Sequence, residues 1–529
     1  MRAERLFSIL GLVDPELIDE AMADTRAVRI RWAAIWGRYA AIAACCAIVC
    51  GALFWSVRFL GIGGGSDSAA TTESAADTAE GADSGDTAGA EAEEGNTAPE
   101  STDGFLSYAG PVLPLTTLET DTGLTAERTL TFDFTPGTYE DGTARQWGAR
   151  VTDHYVLNNP TDSDLIVTAL YPVTGSLAGL TEMAPDLTVD GEPVSYTLYA
   201  GSYAGSFQDA GVDDGSTWNL ADPASWEDYA ALLNQEAYQA QALGDSPDLS
   251  TPVTVYRFSD FEAPHAEYRA ATQAVEFTID PSVTTILSYG FNGLSQDTES
   301  GWRQYDYFVP DGIRNEPELK LLVVLGEDIA GYTLQGYADG ACQQAIDGVS
   351  CTVTRQETTL DAVLAELCQA VITRHQGNSW DFSALPLSVY EKAAAELLMA
   401  YGLLSGAPMD RYTDGRLDDL LWDVLVQSRI LYLAVPVTIP AGGSTTVETV
   451  FWKEPSYDFG GSGTGREDLQ GFEALTTAGS SLTFTGQTAS LVNGDGIEVA
   501  AENFGFRNDG TADLSLMEPH YFLEVRVSD

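Results

Sequence analysis

The stretch Tyr39–Val57, YAAIAACCAIVCGALFWSV, constrains this chain more than any other. It is nineteen uncharged residues closed by Arg38 and Arg58. At about 1.5 Å per helical residue such a run reaches roughly 28 Å, close to the ~30 Å hydrocarbon core of a bilayer. A single segment satisfies its own backbone polar groups in lipid only as a helix, so the run reads as one transmembrane helix. Trp36 and Trp55 fall near its ends, where amphipathic rings favour the interface. Arg26, Arg29, Arg31 and Arg38 precede it and only Arg58 follows closely. The positive-inside rule then places residues 1–38 in the cytoplasm and the remainder outside the cell. A cleaved signal peptide would show a shorter leading segment and a small-residue cleavage site. Cys45, Cys46 and Cys50, inside the run, read as small apolar packing residues.

Charge divides along the same line. Residues 1–38 hold six arginines and six acids, whereas residues 62–104 hold eleven acids and no base. Residues 105–529 hold 62 acids against 18 bases, so most of the net charge of −54 lies beyond the span. Such a surface repels nucleic acid and anionic polymers. Segment 58–104 is rich in Gly, Ser, Ala, Thr, Asp and Glu. It cannot bury enough apolar surface to offset its ordering entropy and reads as an acidic low-complexity linker.

The first 38 residues read as a cytosolic helical segment. Asp14-Pro15-Glu16 is a helix start: an N-cap residue, a proline at the first position and an acid in the first turn. Leu17, Ile18, Ala21 and Met22 then share one apolar face, which either closes a small hairpin or meets a cytosolic signalling partner. The run LFSILGLVDPELIDEAM, followed by a basic stretch with tryptophans and one span, resembles the N-terminus of single-pass membrane proteins of clostridial-type Gram-positive bacteria, some of them anti-sigma-factor-like. VTDHYVLNNPTDSDLIVTALYPV, WRQYDYFVP and VPVTIPAGGS extend the resemblance into the large region. Many of the proteins it resembles are uncharacterised, so the resemblance implies a cell-membrane protein, with signalling through the cytosolic segment as an alternative to a surface binding module. Residues 1–38 contain neither His nor Cys, so it does not extend to the zinc-binding anti-sigma type.

Beyond residue 104 the pattern is mainly β with α. RTLTFDF (Arg128–Phe134) alternates with period two, and Val151–Leu157 and Leu165–Pro172 flank the turn cluster NNPTDSD. Asp190-Gly191 and PAGGS read as hairpin turns. The many short strands predict a β-sandwich-like extracellular region, divided into subdomains 105–330 and 331–529. A helical insert is expected over 359–428, from Leu360–Thr373, a capping box Ser388–Glu391 before AAAELLMAYGLL, and Leu417–Val426. Another helical run is expected from Ser225 to about Leu243.

No motif in this chain makes it an enzyme. His154, His265, His375 and His520 show no metal-ligand spacing, and no Cys-x-x-Cys occurs. No cofactor is implied. Calcium held loosely by the acidic surface is conceivable, but Asn493–Gly496 and Asn508–Gly510 are too short for a twelve-residue loop. Gly460–Gly465 lacks both a nucleophile elbow and the lysine of a phosphate loop. Asp260 with Glu262, and Glu227 with Asp228, are the carboxylate pairs a cell-surface hydrolase would need. Cys342 and Cys351 flank a stretch containing Asp347-Gly348 and would form a disulfide if that turn brought their strands together in an oxidising exterior. Cys368 reads as a buried free thiol on a helix. The expectation is a membrane-anchored, non-catalytic surface binding or sensing module with a cell-wall or extracellular protein ligand.

Overall fold

Alternation of apolar and polar residues places the strands, and long-range pairing assembles them. The computed structural model describes residues 107–527 except 140–141, 204–225, 265–270, 310–318, 378–380, 407–410, 413–414 and 460–464. The run 39–57, the linker and the patch Leu17, Ile18, Ala21 and Met22 lie outside the described residues. Among the described residues no helix is long and apolar enough to cross a membrane.

The first strands are β1 (Thr125–Asp133), β2 (Ala149–Asn158), β3 (Leu165–Ser176), β4 (Asp186–Val189) and β5 (Thr197–Tyr203). Helices α1 (Trp226–Asn234) and α2 (Ala237–Leu243) follow. The middle of the chain supplies β6 (Pro252–Glu262), β7 (Ala271–Thr278), β8 (Thr284–Tyr289) and β9 (Gly293–Asp297). It continues through β10 (Trp302–Val309), β11 (Lys320–Gly326), β12 (Tyr332–Tyr337) and β13 (Ser350–Thr359). Three helices come next: α3 (Leu360–His375), α4 (Leu387–Ala400) and α5 (Leu417–Val426). The last strands are β14 (Ser428–Ile439), β15 (Ser444–Lys453), β16 (Gln470–Leu475), β17 (Thr483–Val492), β18 (Ile497–Glu502), β19 (Thr511–Leu514) and β20 (His520–Val527).

The first and last groups of strands interleave. A seven-stranded sheet runs β19-β17-β1-β2-β15-β4 and ends on Glu192–Pro193; β17 lies parallel to β1 and the other pairs are antiparallel. A four-stranded sheet runs β5-β14-β3 and ends on Thr116–Thr117. A five-stranded sheet places β16, β20 and β18 beside Ser107–Tyr108 and Tyr457–Asp458. The middle strands form two sheets of their own, β8-β11-β6-β13 and β9-β10-β7-β12 with Ala345–Ile346. The ladders β2–β15, β3–β14 and β7–β12 all join residues on either side of position 330.

Periodicity identifies which face of each strand is buried. In β1 Ala126, Arg128, Leu130 and Phe132 are buried and the residues between them are more exposed. The sheet β8-β11-β6-β13 is different, because it is covered on both faces. Leu321, Val323 and Leu325 join Val253, Val255 and Leu287 in a core shared with Leu360, Val363, Leu364, Leu367 and Leu420 of the helices. Leu322 and Val324 point the other way, into an aromatic core with Tyr256, Phe258, Phe277, Tyr305 and Tyr307. Double-sided burial is why Leu321–Leu325 is an unbroken apolar run. On the helical side Lys392 Nζ donates to the carbonyls of Gln241 (2.6 Å) and Ala242 (2.8 Å), pinning α4 to the C-terminal end of α2.

Several local expectations take a different form in the structure. Asp190 (φ 51°) and Gly191 (φ 78°) do close a hairpin, from β4 to Glu192–Pro193, with the left-handed pair that a two-residue primed turn needs. PAGGS does not: β14 pairs with β3 and β5, whereas β15 pairs with β2 and β4. That connection carries the chain between sheets, as NNPTDSD does between β2 and β3. The two connections grip each other, with Asn159 N donating to Gly443 O and Gly442 N to Thr161 O, both at 2.9 Å. The helix α4 begins at Leu387 on Pro386 with no side-chain cap, so Ser388 lies inside the first turn and forms no capping box. The run from Trp226 to Leu243 is broken at Glu236 by a left-handed backbone (φ 56°).

Cys342 and Cys351 are free thiols, and no bridge joins them. The turn at Asp347-Gly348 links Ala345–Ile346 of the five-stranded sheet to β13 of the four-stranded one, so the flanking segments are not partners in one hairpin. Cys351 packs against the aromatic core beside Tyr307. Cys342 lies near the carboxylates of Asp306, Asp339 and Glu276.

Candidate functional site

A cavity of about 90 Å³ opens between the end of β8, the last turn of α3 and the first turns of α5. It is lined by Tyr289, Val371, Arg374, His375, Asp418 and Trp422. Spacing explains the lining. Val371 and His375 are four apart on α3, and Asp418 and Trp422 are four apart on α5, so each pair shares a helix face. What brings α5 to β8 is Gly415. Its carbonyl accepts a 2.7 Å bond from Ser288 N, and at φ +60° a Cβ there would fall 2.3 Å from Ile286 O. Only glycine permits this close approach.

Asp418 is half-buried, and its Oδ1 accepts a 2.7 Å bond from the Gly290 backbone N–H. Burial pushes its carboxyl up to about 6, against the pull of that N–H and of Arg416. Burial, then the Asp418 charge, raise the Tyr289 phenol to about 12, with Arg374 opposing. Burial and Arg374 lower the His375 imidazole, which favours its neutral form. His375 lies 5.0 Å from the Phe382 ring and 6.1 Å from Trp422, centroid to centroid. The cavity therefore has aromatic walls, one under-solvated carboxyl inside, and an exposed arginine among its lining residues. By volume it holds several waters, or a ligand of a few heavy atoms. A second cavity, beside Leu113, Leu233 and Tyr432, is only about 10 Å³, room for about one water.

Three carboxylates elsewhere in the interior, Asp153, Glu473 and Glu524, are each held by several donors. Asp153 takes a bidentate bond from Arg128 Nε and Nη2 (both 2.8 Å) and further bonds from the hydroxyls of Tyr155 (2.8 Å) and Tyr171 (2.9 Å). Glu473 receives Tyr108 Oη at 2.8 Å on one oxygen and meets His520 Nε2 at 2.9 Å on the other. The Trp226 ring packs against that imidazole at 4.7 Å, tilted by 46°. Glu524 takes Tyr457 Oη on Oε1 and Arg466 Nη2 on both oxygens. These clusters tie strands together and leave no carboxylate oxygen facing open space.

The residues singled out from the sequence do not converge on the cavity, with one exception. His375 lines it, whereas His154 sits on β2 against Glu448 and His520 sits on β20. His265 lies outside the described residues. Asp260 and Glu262 are exposed at the irregular end of β6, and Glu227 and Asp228 are exposed in the first turn of α1. Cys368 is a free thiol in the core. Asp418, Arg374, Tyr289 and Trp422 carry no sequence signal of a site. Asp418 reads as a helix N-terminal acid, and Arg374-His375 reads as a basic C-terminal turn.

Among the described residues no group of three or more His, Cys, Asp or Glu could hold a metal ion. No protein-family model matches the chain, and no curated protein matches it.

Proposed function

We propose that the protein is a single-pass membrane protein whose cytosolic N-terminus is short and whose β-rich C-terminal region lies outside the cell as a non-catalytic binding or sensing module. The apolar run with its arginine bias and the acidic linker support the topology. The cavity carries the binding reading: a space walled by Tyr289, His375 and Trp422, with Arg374 and Asp418 in its lining, supports a small ligand held by a preformed fold. The two sheets sharing the aromatic core favour a β-sandwich within this region.

Protease added to intact cells tests the topology. Fragments from 105–529 should be released while residues 1–38 stay protected. A C-terminal region that resists digestion until the cells are lysed would reverse the orientation. The resemblance of LFSILGLVDPELIDEAM to anti-sigma-factor-like proteins supports a second reading, in which the cytosolic segment binds a signalling partner. Changing Leu17→Asp and Ile18→Asp together should abolish partner capture, and undiminished capture would remove that reading.

A further inference from the structure

We propose that the outer face of the seven-stranded sheet, from a row of hydroxyls to Trp147 beside Trp452, binds an uncharged, extended chain of β-linked sugars. This surface shares no strand or helix with the cavity between α3 and α5, so it is a second site, independent of that one. Strand alternation sets the face. Leu130, Phe132, Val151, Asp153, Ala489 and Ala512 are buried on the inner side, so the residues between them turn outward. Register then lines up Thr511 of β19, Ser490 of β17, Thr131 of β1 and Thr152 of β2 across four adjacent strands, each of them half-buried. Thr488 and Thr129, both exposed, form a second pair one row along the same face.

Spacing is the first property that selects the partner. Adjacent strands lie about 4.8 Å apart, and an extended chain of β-linked hexoses advances by nearly the same step per sugar. Laid across the strands, such a chain meets a hydroxyl at each one. Ser490 and Thr131 share one bond at 2.8 Å, which leaves that pair a hydroxyl hydrogen and lone pairs for a ligand. Thr511, at the edge, already donates to Asp509 Oδ1 at 2.7 Å and accepts from Arg507, so Ser490, Thr131 and Thr152 form the centre.

Charge is the second. Residues 105–529 hold 62 acids against 18 bases, yet in the two rows flanking these hydroxyls each acid faces a basic partner. His154 Nδ1 meets Glu448 Oε2 at 3.1 Å, Arg507 meets Asp513, and Arg150 pairs in register with Asp133. An uncharged chain meets no unopposed ion in these rows, whereas an anionic one is repelled by the acidic surroundings. The third property is aromatic. Trp452 pairs in register with Arg150 in the row beyond Thr152. The Arg145 guanidinium lies over its ring at 4.5 Å and over that of Tyr139 at 5.3 Å, and its Nε1 donates to Trp147 O at 3.0 Å. That bond ties Trp147 to the stack, and Trp147 remains 37% exposed. An exposed indole offers a flat apolar surface to the C–H face of a sugar, while the hydroxyl row takes its O–H groups.

Calorimetric titration of the full-length protein in detergent tests this, with cellohexaose and N-acetylated chitohexaose as β-linked probes. Maltohexaose supplies glucose on a curled chain, and polygalacturonate supplies an anionic chain. At least one β-linked hexaose should bind more tightly than its own disaccharide, because it spans more strands, and more tightly than maltohexaose. Trp147→Ala should weaken that hexaose about tenfold or more, the loss usual for a tryptophan anchor. Thr131→Val with Thr152→Val keeps the branched shape, removes two hydroxyls and should weaken it about tenfold. Circular dichroism and thermal unfolding of the variants keep the comparison between folded proteins. The proposal is overturned if neither β-linked hexaose binds at millimolar concentration, if maltohexaose or polygalacturonate binds as tightly, or if folded Trp147→Ala keeps the full affinity.

Discussion

Asp153 is a fully buried carboxylate and Asp418 a half-buried one, and they differ in the donors that meet them. Asp153 sits on β2 with a bidentate arginine from β1 and two tyrosine hydroxyls, and Arg128 and Asp153 have side-chain exposures of 1% and 0%. The Arg128 guanidinium also donates to Leu475 O at 2.6 Å, and Tyr155 Oη accepts the Leu115 N–H at 2.9 Å. Burial works to lower the Arg128 pKa; the Asp153 charge and the hydrogen bonds overcome it and raise it. Asp418 has one backbone donor, a cavity beside it and a carboxyl pushed up to about 6. A buried charge with a full set of partners organises the fold, whereas a half-buried one with fewer donors is harder to ionise.

The largest effect should come from breaking the satisfied site. Arg128→Met leaves Asp153 buried without its cation and should lower unfolding stability by about 3–5 kcal/mol in urea titrations. A loss under about 1 kcal/mol would mean that water reaches Asp153, and the contrast with Asp418 would collapse. Tyr171→Phe removes one of the donors and should cost about 1–2 kcal/mol by the same measurement.

The smallest effect has the opposite sign. The Asp418 carboxyl titrates near 3.8 when unfolded and near 6 when folded. Between those values the native state binds more protons, so this group's contribution to stability falls as pH rises through about 4 to 6. Above that window the full cost of burying the charge is present. Asp418→Asn keeps an oxygen for the Gly290 N–H and removes the charge, so it should stabilise the ligand-free protein at pH 7–8 by about 1–2 kcal/mol. The gain should vanish near pH 4. Destabilisation at pH 7 would show that Asp418 is a structural partner like Asp153. Asp306 serves as the control. Burial alone raises its carboxyl to about 6 on the five-stranded sheet, so Asp306→Asn should show the same pH trend at a site away from the cavity.

Legibility in the sequence followed the range of the interactions. Leu417–Val426 is helical at both of its expected ends, and α3 begins at the expected Leu360, because apolar spacing and turn residues act within a few positions. The D-G hairpin at Asp190-Gly191 was equally local. PAGGS carried the same kind of signal and led between sheets, because a turn specifies a change of direction and not the strand that the chain meets next. Cys342 and Cys351 failed to pair for the same reason.

The sequence by itself determined the local units: a charge-free run bounded by arginines, an acidic segment poor in large apolar residues, strands with period two and helices with apolar faces. These follow from backbone geometry and solvation, which act residue by residue. Only the tertiary structure decided that Thr125–Asp133 pairs with Thr483–Val492, or that Asp418 meets Gly290 beside Tyr289 and Arg374. Such meetings are selected by the joint burial of surfaces distant along the chain, and no short-range pattern encodes the partner. Asp153 and Asp418 show the consequence: the same side chain becomes a strut or a half-buried acid beside a cavity according to the donors that packing brings to it.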